Sequence, residues 1–296
     1  MTTFSRAIAV TLAIWLCAPA GAQDGEEREG GIIGTGIVGT ITQLGSVFVN
    51  NLRIEVSDGM QVVGSVPAMT AADLRPGHTV AIITERQDDG WHARHIRKVL
   101  PVVGKVTALG DGEIAVLGTR VDLGGQSTDL RVGDWVAVSG LWQEQRVRAS
   151  RIERLAGTAH RARLSGTYLG PDPTGNTVIG GSLVSGIDPQ HLQPGDLVRV
   201  YGQPTPDGIE ALRLETGLFD ETVGLIQVQG YYSRPQPDGL YTVLGSGLVS
   251  YTDRPEMISP DDRVIRCGQQ GRLRVEQATG AAETEQVAHL LTELSC

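Results

Sequence analysis

A short strand interrupted by a glycine recurs four times along this chain, as Ile37-Val38-Gly39-Thr40-Ile41, Val102-Val103-Gly104-Lys105-Val106, Arg163-Leu164-Ser165-Gly166-Thr167 and Gln227-Val228-Gln229-Gly230-Tyr231. The marker glycines stand 65, 62 and 64 residues apart, a regularity that unrelated segments do not produce. Within each period apolar residues alternate with polar ones. Ser46-Val47-Phe48-Val49 followed by Leu52-Arg53-Ile54-Glu55-Val56, for example, predicts a pair of half-buried strands. A Leu-x-x-Gly punctuation comes next, as Leu74-Arg75-Pro76-Gly77, Leu130-Arg131-Val132-Gly133-Asp134 and Leu192-Gln193-Pro194-Gly195-Asp196, with a degenerate fourth copy, Ile258-Ser259-Pro260-Asp261-Asp262. A fourth strand follows each copy directly. Turns such as Asp88-Asp89-Gly90 and Pro206-Asp207-Gly208 then lead into a fifth.

Five short strands per period, with the longest break between the third and fourth, match the order of a small Greek-key barrel. The fold class that follows is all-β: a tandem array of four small five-stranded OB-like β-barrels with a short C-terminal helix. Small β-sandwich modules are the alternative, because strand count does not fix topology. In an OB-fold a helix fills the long break, but Thr70-Ala71-Ala72-Asp73 has room for a single turn only. The divisions are a flexible leader at 23–34, barrels at 35–99, 100–157, 158–217 and 223–279, and a helix within 281–296. Each barrel is expected to have its own modest core. Val287, Leu290, Leu291 and Leu294 form one apolar stripe, which predicts that the helix docks on the preceding barrel. Glycine, 39 of 296 residues or about 13% against a norm of ~7%, is assigned to the turns, the four marker glycines included.

The first 22 residues read as a signal peptide. Arg6 precedes an apolar run over residues 7–16, and Ala20-Gly21-Ala22 supplies the small residues that place cleavage between Ala22 and Gln23. The run is about half the ~20 residues needed to span a bilayer. Trp15 and Leu16, ahead of Cys17, are too large for a lipoprotein cleavage motif. The expected location is therefore the periplasm or the extracellular space, with no integral membrane segment in the mature chain. Two cysteines remain, Cys267 and Cys296, and an oxidising compartment favours a disulfide between them over two free thiols.

Removing residues 1–22 takes away one arginine and no acid, so the net charge of −9 becomes −10. Such a chain repels phosphate backbones, which argues against nucleic-acid partners. Of the 25 basic residues only Lys98 and Lys105 are lysines. We assign this arginine excess to coding bias in preference to an anion-binding role.

Signatures of catalysis are sparse. Gly34-Thr35-Gly36-Ile37-Val38-Gly39 spells a dinucleotide fingerprint, but it runs into β-branched residues and not into a helix. His92 and His95 are expected on opposite faces of one strand, and Asp88-Asp89-Gly90 and Asp261-Asp262 lack calcium-loop spacing. No catalytic residue, cofactor or metal ligand is assigned. Aromatic residues make up only 4% of the chain. Tyr231, Tyr232, Tyr241 and Tyr251 in the fourth unit are the candidates for a stacking surface, the alternative being that they fill one small barrel's core and rim.

Residues 30–41, Gly-Gly-Ile-Ile-Gly-Thr-Gly-Ile-Val-Gly-Thr-Ile, continuing through Gly45-Ser46-Val47-Phe48-Val49-Asn50-Asn51-Leu52, resemble the opening of proteins in the bacterial exported domain-of-unknown-function 5666 family. Gly133-Asp134 and Gly195-Asp196 match its Gly-Asp ahead of a Val-rich strand. Val49-Asn50-Asn51 stands where Val-Asn-Gly is usual, and His78 where an Asp is usual. The resemblance implies small exported β-domains, often in tandem, and brings no catalytic residue with it.

The function expected is that of an exported, non-enzymatic binding or scaffolding protein whose partner is an envelope protein or polysaccharide. An oligosaccharide or envelope-polymer binder is the alternative, as is a carbohydrate-active enzyme with a site between repeats.

Overall fold

The computed structural model describes residues 34–157, 160–274 and 285–296. Cys17 and the Ala22–Gln23 cleavage site lie outside them. The first unit contains β1 (Thr35–Gln43), β2 (Val47–Val49), β3 (Leu52–Glu55), β4 (Gln61–Val63), β5 (Met69–Thr70), β6 (Thr79–Gln87) and β7 (Gly90–Lys98). β1 pairs antiparallel with β2 and β6, β2 with β3, and β6 with β7, while β3 runs parallel to β7. These five close into a ring in the order β1-β2-β3-β7-β6, the Greek-key barrel order of the OB-fold. β4 and β5 extend the sheet beyond β7.

The second unit has β8 (Val102–Gly110), β9 (Glu113–Val116), β10 (Thr119–Asp122), β11 (Trp135–Gln143) and β12 (Arg146–Arg154), closed in the same order with β10 parallel to β12. The third has β13 (Ala162–Pro171), β14 (Thr177–Ile179), β15 (Ser182–Ser185), β16 (Leu197–Thr205) and β17 (Gly208–Thr216), closed likewise. The last segment has β18 (Leu225–Tyr231), β19 (Leu240–Thr242), β20 (Val249–Tyr251), β21 (Arg263–Gln269) and β22 (Arg272–Leu273). Its strands follow the same sequence of neighbours. Its β18–β19 side, however, is held by one isolated bridge, Tyr232 to Val243, and the flanking bonds Ser233 N–H to Thr242 O and Leu244 N–H to Tyr231 O, each 2.8 Å.

The four marker glycines are not at turns, as the composition suggested, but inside β1, β8, β13 and β18. A Cβ on Gly104 would come within 2.8 Å of Leu117, one on Gly166 within 2.7 Å of Ile179, and one on Gly230 within 2.5 Å of Val243. In each unit the first strand therefore lets the end of the second strand pass close across it, which only glycine allows. Asn50 (φ 53°) and Asn51 (φ 66°) make the left-handed turn that follows β2, a conformation asparagine adopts more readily than other non-glycine residues.

The Leu-x-x-Gly motif also has a structural cause. Leu74 is 1% exposed within the first core, and Leu130, Leu192 and Ile258 pack against the cores of their own segments. Asp134 Oδ2 accepts the Arg131 amide at 2.9 Å and Asp196 Oδ2 accepts the Gln193 amide at 2.8 Å. His78 does the same work in the first unit, its Nδ1 accepting the Arg75 amide at 3.2 Å. The single helical turn expected after Thr70 is a 3-10 turn over Ala71–Asp73, closed by Asp73 Oδ2 accepting from the Thr70 amide at 3.0 Å.

The units do not have separate cores. β1 runs parallel to β18, and β8 pairs antiparallel with β13, so the ladders fuse the first unit with the last and the second with the third. One apolar cluster spans the second and third units, from Val102 through Trp142 to Ile209. Another takes Val38 and Ala81 from the first unit, Leu197 from the third and Val228 and Val243 from the last. Five-stranded rings of this size enclose little apolar surface each, and fusing them removes more from water.

The C-terminal helix, α1 (Glu285–Glu293), likewise departs from expectation. Leu290, Leu291 and Leu294 join a core made mostly by the first unit, with Ile37, Ile82 and Trp91, to which the last segment adds Leu225 and Cys267. Arg86 Nε on β6 donates to Glu293 Oε2 at 2.9 Å. Asn50 Nδ2 donates to Gln227 Oε1 at 3.0 Å, and Gln227 Nε2 donates to Leu294 O at 2.7 Å, which ties the first barrel, β18 and the chain end together. Cys267 on β21 is bonded to Cys296, with 5.8 Å between their Cα atoms.

Candidate functional site

The outward positions of β13 and β16 alternate with core positions, so Leu164, Val198 and Val200 point inward while Arg163, Arg199 and Tyr201 point out. In most barrels that face meets water. Here Arg97 and Lys98, the last residues of β7, come against it, and Gly64, Leu100 and Leu218 complete the walls of a half-open cleft of about 30 Å³. Three arginines from two barrels converge on it in a chain that is acidic overall.

Arg97 is 5% exposed and Arg199 7%. Their shared counter-ion is Asp220, on the segment between β17 and β18: Arg97 Nη2 donates to Oδ2 at 2.5 Å and Arg199 Nη2 to Oδ1 at 3.3 Å. Arg199 Nη1 lies 3.2 Å from Glu215 Oε2, but off the direction of a hydrogen bond. Arg97 Nε, Arg199 Nε and Arg199 Nη1 have no hydrogen-bond partner. Arg163 spends Nη1 on a neutral acceptor, Gly64 O, at 3.0 Å, and its guanidinium stacks 5.6 Å from the Tyr201 ring centroid. Burial, and for Arg97 the nearby Arg199, lower the basicity of Arg97 and Arg163 below the ordinary guanidinium value.

A second polar cluster joins the first two units. Lys98, with a side chain 1% exposed, is ion-paired to Glu153 on β12, and His78 Nε2 lies 3.0 Å from the other oxygen of the same carboxylate. Because His78 Nδ1 accepts a backbone amide, Nε2 carries the proton and donates to Glu153. Burial would raise the Glu153 carboxyl, but the hydrogen bonds from His78 and Lys98 outweigh it and hold it at about 2. Burial pushes the Lys98 ammonium down from its ordinary value, opposed by Glu153. Arg151 Nε lies 3.6 Å from the same carboxylate, and the cluster reads as a joint between barrels.

The four tyrosines do not share one exposed face. Tyr241 is 5% exposed in the core cluster with Val228 and Val243, and Tyr232 stacks edge-on against it at 5.5 Å. The Tyr232 hydroxyl accepts from Arg266 Nε at 2.6 Å and its burial raises its pKa, Tyr231 is half-buried, and Tyr251 stands out at 55% exposure. His92 contacts Asp89 Oδ1 at 2.7 Å, and His95 Nε2 is buried without a partner. Among the described residues no group of three or more histidine, cysteine, aspartate or glutamate side chains is placed to hold a metal ion, and no helix is long and apolar enough to cross a membrane.

Sequence reasoning missed the arginine cleft. The available signal was the alternation in Val198-Arg199-Val200-Tyr201, which marks Arg199 as outward-facing. Nothing local says that another barrel covers it.

Residues 103–153, which hold most of the second barrel, match the family model of a domain of unknown function, DUF5666. No curated protein and no solved structure matches the chain.

Proposed function

We propose that this chain is an exported, non-enzymatic binding or scaffolding protein, assembled from four tandem barrel units, that receives an acidic group of an envelope component in the arginine cleft. The observation that carries the reading is the pair Arg97 and Arg199, more than nine-tenths buried, with three guanidinium nitrogens that make no hydrogen bond. A buried unpaired donor costs stability, and such a cost is characteristic of places that wait for a ligand. The Cys267–Cys296 bridge supports export, since disulfides persist in oxidising compartments.

The test is calorimetric titration of the mature chain with short uronate and phosphorylated oligosaccharides of the envelope. Saturable binding that is lost in Arg163→Gln is expected. Turnover of any of these compounds, abolished by a single carboxylate substitution, would overturn the non-enzymatic reading, and no binding of any acidic compound would overturn the cleft as the receiving site.

A further inference from the structure

We propose that the arginine cleft is a site for one tetrahedral oxyanion, an inorganic phosphate or the phosphoryl group of a monoester, and that Asp220 is the internal anion it displaces. The inference rests on the reading of the cleft as an acid-receiving site and adds the chemical class of the group and a competitor built into the chain.

Asp220 shows what the cleft accepts. Its two oxygens bridge two guanidinium groups, one to Arg97 Nη2 and one to Arg199 Nη2, the pattern in which arginine binds carboxylate and phosphate. Yet a carboxylate in that position leaves Arg97 Nε, Arg199 Nε and Arg199 Nη1 without a hydrogen bond, and does not engage Arg163 at all. Two oxygens in a plane do not reach the remaining donors. A group with four oxygens in a tetrahedron offers more acceptors than a carboxylate, set in more than one plane.

Charge points the same way. Arg97 and Arg199 are ion-paired to Asp220, and Arg199 also to Glu215, while Arg163 meets neither carboxylate. With Asp220 displaced, the three cleft arginines exceed Glu215 by two charges, which a phosphate dianion matches and a monocarboxylate does not. Burial that depresses the basicity of Arg97 and Arg163 is the signature of guanidinium charge without enough compensation. A cleft of about 30 Å³ has no room for more than a small group, so the rest of a larger ligand stays outside the half-open mouth.

Asp220 is also suited to leave. Its side chain is 61% exposed, against 6% and 9% for the two arginine side chains it contacts, and it lies between β17 and β18, outside any strand ladder. Water can solvate its carboxylate when a stronger anion takes its place.

The experiment is calorimetric titration of the disulfide-bonded mature chain with sodium phosphate, sodium sulfate, sodium acetate and glycerol 3-phosphate at constant ionic strength and pH 7.5, with thermal melts in parallel. Saturable phosphate binding tighter than acetate is expected. Asp220→Asn is expected to bind phosphate roughly tenfold more tightly, as for a competitor that fills the site about nine-tenths of the time. Arg163→Gln, which removes the least buried of the three arginines, is expected to lose binding while melting as the parent does. Glycerol 3-phosphate binding as tightly as phosphate assigns a phosphorylated polymer or lipid as the source, and weaker binding assigns the free ion. Either source supports the site. Acetate binding as well as phosphate overturns the tetrahedral class but leaves the acid-receiving cleft standing. Unchanged phosphate affinity in Asp220→Asn overturns the competitor. No binding of any of the four anions by either protein overturns the inference and the cleft reading together.

Discussion

His78 Nε2 lies 3.0 Å from Glu153 Oε1, so a turn of the first barrel is bonded to the last strand of the second. The same carboxylate takes the ammonium of Lys98, one of only two lysines in the chain. Glu153 thus neutralises one buried cation and bonds one buried imidazole. Its removal leaves Lys98 charged and unpaired at 1% exposure. Glu153→Gln is expected to lower stability by about 3 kcal/mol, measured by urea unfolding at pH 7, as when one partner of a buried pair is lost.

The same group sets an acid limit. Its folded-state value of about 2 lies below the ordinary 4.5, so its stabilisation is present above about pH 4.5 and is lost as pH falls toward 2. Denaturant midpoints taken from pH 6 to pH 2.5 should fall in this range for the parent and fall less for Glu153→Gln. Equal slopes for the two would show that Glu153 is not the group.

His78 stands in a position that Asp134 and Asp196 hold in the other units. Replacing it by aspartate keeps an acceptor for the Arg75 amide but sets a second carboxylate beside Glu153, with Lys98 to serve both. His78→Asp is expected to destabilise by roughly 1–3 kcal/mol at pH 7 and to recover part of this near pH 4, where one carboxylate protonates. His78→Asn, which adds no charge, should cost less at pH 7 and show no recovery.

Marker glycines mid-strand can be tested against one that is not crowded. A Cβ at Gly104 would meet Leu117 at 2.8 Å, and one at Gly110, in the same strand, meets nothing nearer than 3.8 Å. Gly104→Ala should cost about 1–3 kcal/mol by overpacking, while Gly110→Ala should change stability by no more than about 0.5 kcal/mol. Thermal melts of both variants decide it.

The bridge between Cys267 and Cys296 closes a loop with a sequence separation of 29 residues and ties the chain end after α1 to β21 of the last segment. The chain-entropy relation gives about 3.5 kcal/mol for a loop of that length. Cys267→Ser/Cys296→Ser is expected to melt lower by a comparable free energy. Leu294→Ala, at a position 0% exposed, should cost a further 2–5 kcal/mol if the helix stays docked without the bridge. No added cost would mean that the bridge alone holds the helix.

The order of strands within each barrel was legible in the chain, and for a local reason. Alternation of period two, the glycine that admits a close crossing, the Leu that plugs the core and the Asp that closes its turn all act within a single unit, so most copies carry their trace. Cys267 and Cys296 were legible because few cysteines leave few pairings. How the barrels meet was not. The parallel register of Thr35 with Leu225, the merging of Val38 with Val228 and Val243 in one core, and the docking of Leu290, Leu291 and Leu294 on the first barrel all join residues far apart in sequence. Such contacts are selected by the area they bury, which no short pattern encodes. The arginine cleft belongs to this second class. Arg163 and Arg199 read from the chain as ordinary outward-facing residues of a strand, and only the arrival of Arg97 on another barrel takes Arg199 out of water and turns surplus surface charge into a site.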